Sequence, residues 1–446
     1  MKEKLFRPVD NSPLVIFRVI FGLLLTAEAW GAIMTGWVKK AFITPKITFP
    51  FIDFSWLHPL PGDGMYYYYI IMGVAGVLVM LGLYYRVAMI TYALMWAGVY
   101  FMQKTNYNNH YYLMVLLCFL MSTVPAHKYL SLDVKRKPSL KSLSCPQWCI
   151  WAFAFQMTLV YVFAAFAKMY PGWMEAETVG ILFTNKSHYW LIGPLLAQKW
   201  FQVAVSHMGL VFDLFVGPGL LWKKTRKYAF MAAVFFHLFN SAVFQVGVFP
   251  YVGIAISIFF FDPETIRRIF LKRKPPLELN EETINSYKSN YLEGRKKLVT
   301  TLFVGYFICQ VLLPLRHWLF TGDVNWTEEG HRISWRMMLR IKYGTIMFHI
   351  KDPATGETWK VRPTEYLTPK QAGKVASHPD MCWQFVQILK KEYADKGFPD
   401  VEIYARGNVR LNRGDFHPLY DPEYNLAKAE WHHFKHAEWL LPFKQD

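Results

Sequence analysis

The sequence is short of charge. Lys, Arg, Asp and Glu make up 18% of its 446 residues, against about a quarter in a typical soluble domain. With 53% hydrophobic residues, that shortage argues against an ordinary soluble enzyme and for a membrane protein. Cysteine is scarce as well. Cys118, Cys145, Cys149, Cys309 and Cys382 are scattered, and only Cys145 and Cys149 lie close together. A C-x-x-x-C pair with no nearby histidine pair is a poor zinc signal, so neither a metal site nor a disulfide framework is expected. Several motifs are missing: the P-loop, G-x-G-x-x-G, H-E-x-x-H and G-x-S-x-G. Their absence removes the common ATP, dinucleotide, zinc-protease and hydrolase readings. The N-terminus also lacks a short apolar stretch with a small-residue cleavage site. NSPLVIFRVIFGLLLTAEAWGAIM (11–34) reads instead as an uncleaved first transmembrane helix.

Apolar runs are what the chain has in abundance. About nine are expected to be helical: 12–35, 66–83, 87–102, 109–124, 148–167, 200–221, 229–242, 245–261 and 298–315. Several are shorter than the roughly 20 residues of a straight span, so tilted or re-entrant pieces are expected, most of all at 229–242 and 245–261. The formal net charge is +17, but it is unevenly placed. Residues 1–317 carry 31 Lys/Arg against 15 Asp/Glu, and the remainder carries 18 against 17. The basic residues fall between apolar runs, where they read as topology signals and not as a nucleic-acid groove. With the N-terminus in the cytoplasm, the inside segments hold 22 Lys/Arg and the outside loops seven. The expected fold is a membrane all-α bundle of about nine helical segments (1–317) followed by an extramembrane α+β domain (318–446) on the outer side. In that tail, HRISWRMMLRIKYG and TIMFHIKDPATGETWKVRP suggest two strands, 369–395 a helix, and VEIYARGNVRLN (401–412) a further strand. Residues 272–297 read as a charged connector.

This topology gathers polar residues at one depth. KTNYNNHYYL (104–113) opens the fourth run with Asn108, Asn109 and His110. FAAFAKMYPGW (163–173) closes the fifth with Lys168. FFHLFNSAVFQVGVF (235–249) turns at the same face with His237, Asn240 and Gln245. Each residue has an ordinary explanation. A lysine at a helix end commonly snorkels to the headgroups. Asn108 or Asn109 suits an N-cap, and a histidine on an apolar helix is commonly a bonded core residue. Their convergence raises the functional reading to equal footing, because polar groups in a membrane are expensive. Elsewhere, Arg18 and Glu28 in the first run are expected to pair with other helices. Asp213 reads as a structural acceptor or as part of a polar pathway, the first being favoured, and HHFKH (432–436) reads as a solvated face in preference to a metal site.

At these residues the chain resembles a known family. KTNYNNHYYL, FAAFAKMYPGW, FFHLFNSAVFQVGVFPY and EEGHRISWRMMLR, in this order, are similar to motifs of the vitamin K-dependent γ-glutamyl carboxylases and their shorter bacterial relatives. MLGLYYR (80–86) and DPEYNLAKAEW (421–431) extend the resemblance over essentially the whole chain. The resemblance implies a multi-pass enzyme of a bacterial cytoplasmic membrane. It would oxygenate reduced vitamin K (menaquinol or phylloquinol) with O2 to the epoxide. The strong base formed on the way would remove a γ-proton from a glutamate in a peptide or protein, and CO2 would add to the carbanion. The implied partners are that peptide, the quinone and the lipid bilayer.

The same resemblance implies roles for particular residues. Lys168 matches the family's catalytic lysine and must be neutral to act as a base, which burial in an apolar site favours. His110 and Asn109 match one polar motif, and His237 and Asn240 a second; these would hydrogen-bond the quinol. His110 and Lys168 are the expected catalytic pair. Trp335, Met337 and Met338 match an S-W-x-M-M segment implied to line the quinone or glutamate site, where soft faces suit a quinone ring. The family often has two lysines where this chain has Ala167-Lys168, and LNRGDFHPLYDP (411–422) follows the family pattern only loosely. The animal enzymes' further C-terminal region has no counterpart here. A quinol epoxidase without carboxylation, and a non-catalytic membrane scaffold or transporter, are the alternative readings.

Overall fold

The apolar runs form helices, and where each one stops follows from the residues at its end. The computed structural model describes residues 2–244, 246–279 and 293–443. Gln245 and the connector's 280–292 lie outside the described residues. The membrane part contains α1 (Ser12–Met34), α2 (Gly64–Leu81), α3 (Tyr85–Met102), α4 (Asn109–Thr123), α5 (Trp148–Lys168) and a short α6 (Glu177–Thr184). It continues with α7 (Lys199–Leu221), α8 (Arg226–Phe244), α9 (Phe249–Ile256), α10 (Pro263–Phe270) and α11 (Glu293–Leu315).

Six helices among the described residues are long and apolar enough to cross a bilayer: α1, α2, α5, α7, α8 and the run Gly294–Leu319. The count becomes seven if Phe249–Phe260 and Pro263–Phe270, bent by 119°, form one broken span. The expected nine crossings are therefore reduced. The helices lie at the expected places, but α4 has 15 residues, about 22 Å against a hydrocarbon core of about 30 Å. In α3, Arg86 and three tyrosines dilute the apolar character.

Arg18 finds no carboxylate. Its guanidinium donates to the carbonyls of Val79 (3.1 Å), Met80 (2.6 Å) and Leu130 (2.5 Å). It thereby caps the C-terminal end of α2, where free carbonyls and the helix dipole favour a cation. Gly82 makes this possible. It has a φ of 64°, and an added Cβ would lie 2.5 Å from Arg18 Nη1. Glu28, likewise unpaired by a cation, accepts a hydrogen bond from the backbone of Val248. Both residues thus meet other helices, as expected, through backbone carbonyl and amide groups.

At the end of the bundle where α1 begins, two short strands, β1 (Pro8–Asp10) and β2 (Ser144–Pro146), pair antiparallel. Lys274 locks the start of the connector there, donating to Asp10 (2.5 Å), Asn11 (2.7 Å), Ser12 (3.0 Å) and Leu143 O (3.2 Å).

The C-terminal region is built on a four-stranded antiparallel sheet in the order β4-β3-β5-β6. Its strands are β3 (Lys342–Lys351), β4 (Thr358–Val361), β5 (Glu402–Leu411) and β6 (Phe416–His417). Phe348 stands opposite both Val361 and Ala405. Period-2 alternation buries Ile346, Phe348 and Ile350 on one face. Against this face packs α13 (Pro379–Asp395), through Met381, Phe385, Val386 and Leu389. The single helix expected over 369–395 is two: α12 (Pro369–Ser377) ends before His378-Pro379, because proline cannot continue the ladder of the preceding helix.

The strand expected across HRISWRMMLRIKYG begins only at Lys342. Residues 328–341 are irregular, with positive φ at Glu328 (63°), Ile333 (61°), Trp335 (58°) and Met338 (53°). Left-handed backbone costs a non-glycine residue roughly 1–2 kcal/mol, so neighbours must hold this segment. They do so from both sides. Arg332 makes a two-pronged contact with Asp380 (3.0 and 3.1 Å), Ile333 N donates to Tyr107 Oη (2.6 Å), and Tyr170 and Thr178 donate to Leu339 O.

Candidate active site

Lys168 is the last residue of α5, and its side chain does not reach for the surface. The residue is 7% exposed. Its ammonium meets Asp213 Oδ2 from the middle of α7 in a buried ion pair, and it lies 5.2 Å from the centre of the Trp173 ring. Asp213, expected to be a structural acceptor, is therefore the counter-charge of the lysine. The signal was present in the sequence: each residue is the lone charge in a long apolar run, and opposite lone charges in a membrane tend to find each other.

The other expected residues come to the same place. Asn109, His110, Lys168, His237, Asn240, Trp335, Met337 and Met338 all line one mostly apolar cavity, together with Asp213 and Tyr161. The elements explain how. Asn108, not Asn109, caps α4: its Oδ1 accepts from Tyr111 N at 2.8 Å. That frees Asn109, which accepts from Tyr107 Oη (2.9 Å) and donates to Arg336 O (3.0 Å), tying the start of α4 to the irregular segment. His110 follows, with its ring 5.1 Å from that of Phe249. His237 on α8 fits because Gly253 on α9 has no side chain: an added Cβ would lie 2.6 Å from the imidazole. Its Nε2 meets Tyr161 Oη at 2.9 Å. Tyr161 was missed by the sequence reading, although it lies seven residues before Lys168, two helical turns away on the same face. Trp335 is fully buried against Tyr112, with ring centres 5.0 Å apart, and its indole N–H has no partner among the described residues.

A second cavity adjoins the first and shares Asn109, His110, Met337 and Met338 with it. Its character is opposite. Lys104, Arg332, Arg336, Arg340, Lys342 and Lys374 face it, with Glu328 and His378. Lys104 (2.8 Å) and Arg332 share Asp380. Against the upward push of burial, these two cations hold the Asp380 carboxyl well below its usual range. Arg340 grips Glu328 with two nitrogens, and Lys342 lies 3.6 Å from the same carboxylate while donating to Trp326 O (2.6 Å) and Ser377 O (2.8 Å). Burial lowers the ammonium groups of Lys104, Lys342 and Lys374 to about 8. The sequence reading missed this cluster. Its signal was the bunching of four cations within 332–342 of a region whose charges otherwise balance.

The HHFKH run is partly engaged: His433 meets Asp53 (3.0 Å), and His436 meets Glu329 (2.7 Å).

Two family models match the chain. One, described as the HTTM domain, matches residues 6–264. The other, described as the lumenal domain of vitamin K-dependent gamma-carboxylase, matches residues 295–446. No solved structure matches.

Proposed function

The chain belongs to the vitamin K-dependent γ-carboxylase family, and from that premise we propose that it converts glutamate in a peptide to γ-carboxyglutamate. The reaction uses CO2 and O2 and is coupled to epoxidation of reduced vitamin K. One observation carries this reading: an apolar cavity holding a buried lysine adjoins a cation-lined cavity across a shared wall. The first suits a quinol, and the second suits a carboxylate.

The residues fit the quinol. Trp335, Met337 and Met338 offer soft faces to a ring, and the unpartnered Trp335 N–H offers a donor. Asn109, His237 and Asn240 offer polar groups within the same apolar lining. Menaquinol and phylloquinol share the ring chemistry that such a lining recognises. When bound, reduced vitamin K supplies, through its oxygenation by O2, the driving force and the strong base that no side chain can supply.

The chain's own groups position and move protons. Lys168 Nζ accepts a proton within the apolar cavity, which requires a free lone pair. Asp213 Oδ2 touches it and can hold the displaced proton. His110 faces both cavities and is suited to pass a proton between them. Tyr161 Oη fixes the ring of His237 through Nε2. With Phe249–Phe260 and Pro263–Phe270 counted as a seventh, broken span, the excess of Lys and Arg in the inside segments supports a cytoplasmic N-terminus, with the C-terminal domain outside a bacterial cytoplasmic membrane.

The test supplies purified protein with reduced vitamin K, O2, labelled CO2 and a glutamate peptide, and measures epoxide and fixed carbon separately. Both products are expected. Epoxide alone would select a quinol epoxidase that does not carboxylate. Neither product, under conditions that sustain a control enzyme, would sink both enzyme readings.

A further inference from the structure

The cations around the polar cavity are not equally committed. Lys104 and Arg332 share Asp380, and Arg340 and Lys342 share Glu328. Arg336 and Lys374 have no carboxylate partner among the described residues. Arg336 is 9% exposed; one of its terminal nitrogens donates to Asn325 Oδ1 (3.0 Å), and its Nε is buried without a partner. Lys374 Nζ meets only the ring of His378, at 3.2 Å. A buried guanidinium and a half-buried ammonium, neither with a carboxylate partner among the described residues, are costly to maintain in a resting protein. Their presence calls for an anion that arrives and leaves.

The chemistry of that anion follows from the reading above, on which this inference rests. Carboxylation breaks a C–H bond at the γ-carbon, gives its proton to the base, and forms a C–C bond to CO2. A single carboxylate becomes two on one carbon. A site selecting only for the substrate needs one free cation, whereas a site that also stabilises the forming product needs two. We propose that Arg336 and Lys374 are the carboxylate-binding pair of the polar cavity, matched to the malonate-type dianion that carboxylation creates. They come from different elements lining the cavity: Arg336 from the segment that walls off the membrane cavity, and Lys374 from α12 of the C-terminal domain. Discrimination therefore rests on charge spacing, which an uncarboxylated side chain satisfies only in half.

Methylmalonate and propionate are small stand-ins for the product and substrate side chains. Calorimetry on the full-length protein in detergent is expected to show tighter binding of methylmalonate than of propionate. Arg336→Gln and Lys374→Gln should each abolish that preference and raise the KM for a glutamate peptide by roughly tenfold or more, the size of a lost charge-assisted contact. Lys374→Arg should restore it, which separates charge from folding. Equal binding of the two acids by the wild-type protein, or a preference that survives both substitutions, would overturn the proposal. Calorimetry needs no turnover, so a protein that makes no epoxide would defeat the enzymatic reading and still report on the anion site.

Discussion

The two cavities share a wall and handle charge in opposite ways. The membrane cavity sets one cation against one carboxylate, Lys168 against Asp213, inside an apolar lining. The polar cavity sets six cations against Glu328 and Asp380. A closed pair in a dry site can exchange a proton without changing its net charge. An open excess of cations attracts an anion instead. The difference teaches that burial alone does not define a site here: both cavities bury lysines, and the bookkeeping of their partners separates proton transfer from anion binding.

The sharpest way to break the comparison is to remove the lysine of the closed pair. Lys168→Ala is expected to lower epoxide turnover by roughly 10²–10⁴-fold, the range of a lost acid–base group, and unchanged epoxide formation would reject its role. Next comes its partner. Asp213→Leu leaves a buried cation unpaired, a loss of about 3–5 kcal/mol, visible as a lower unfolding temperature and lower epoxide turnover. The double variant Lys168→Met/Asp213→Leu should regain most of the stability and stay inactive; a double variant less stable than Asp213→Leu alone would show that the pair is not a unit.

The smallest effect tests the polar side through pH. Burial lowers Lys374 from the usual lysine range to about 8, so the ammonium is present below that pH and is lost above it. The peptide KM should therefore rise as pH climbs past 8, while epoxide formation without peptide does not follow. Lys104 and Lys342 are lowered to about 8 as well. Glu328, Arg332, Arg340 and Lys370 complete the charged surroundings, and the His378 ring lies 3.2 Å from the ammonium. Lys374→Arg isolates one share: it should flatten part of the rise, and a pH curve identical to wild type would assign the effect to the other lysines.

Much of this was legible in the sequence, and the rest was hidden for physical reasons. Apolar runs announced the helices because membrane burial writes itself into composition. Their number as crossings was not legible in the same way, because a run as short as α4 can be helical and buried without being long enough to span a bilayer. The eight candidate residues reach one cavity because polar groups at a common depth have few other places to go. Asp213 was read as an acceptor without its donor, because that donor lies 45 residues away on another helix and periodicity reports only on a residue's own helix. The strand assigned to 331–344 failed for a related reason. Its alternation of large and polar residues suits β-structure, but Trp335 and Met338 take left-handed backbone to turn their side chains toward a membrane cavity that local sequence cannot show.

That irregular segment has a consequence for the making of the molecule. The wall between the cavities is supplied by residues 335–338, in the last third of the chain, while the helices carrying His110, Lys168, Asp213 and His237 are synthesised well before it. Domains form in order as a chain emerges, so an unfinished or clipped product carries the lysine and its partner but lacks the partition. The cavity pair can therefore assemble only after translation has passed residues 335–338, however early its lysine and aspartate are in place.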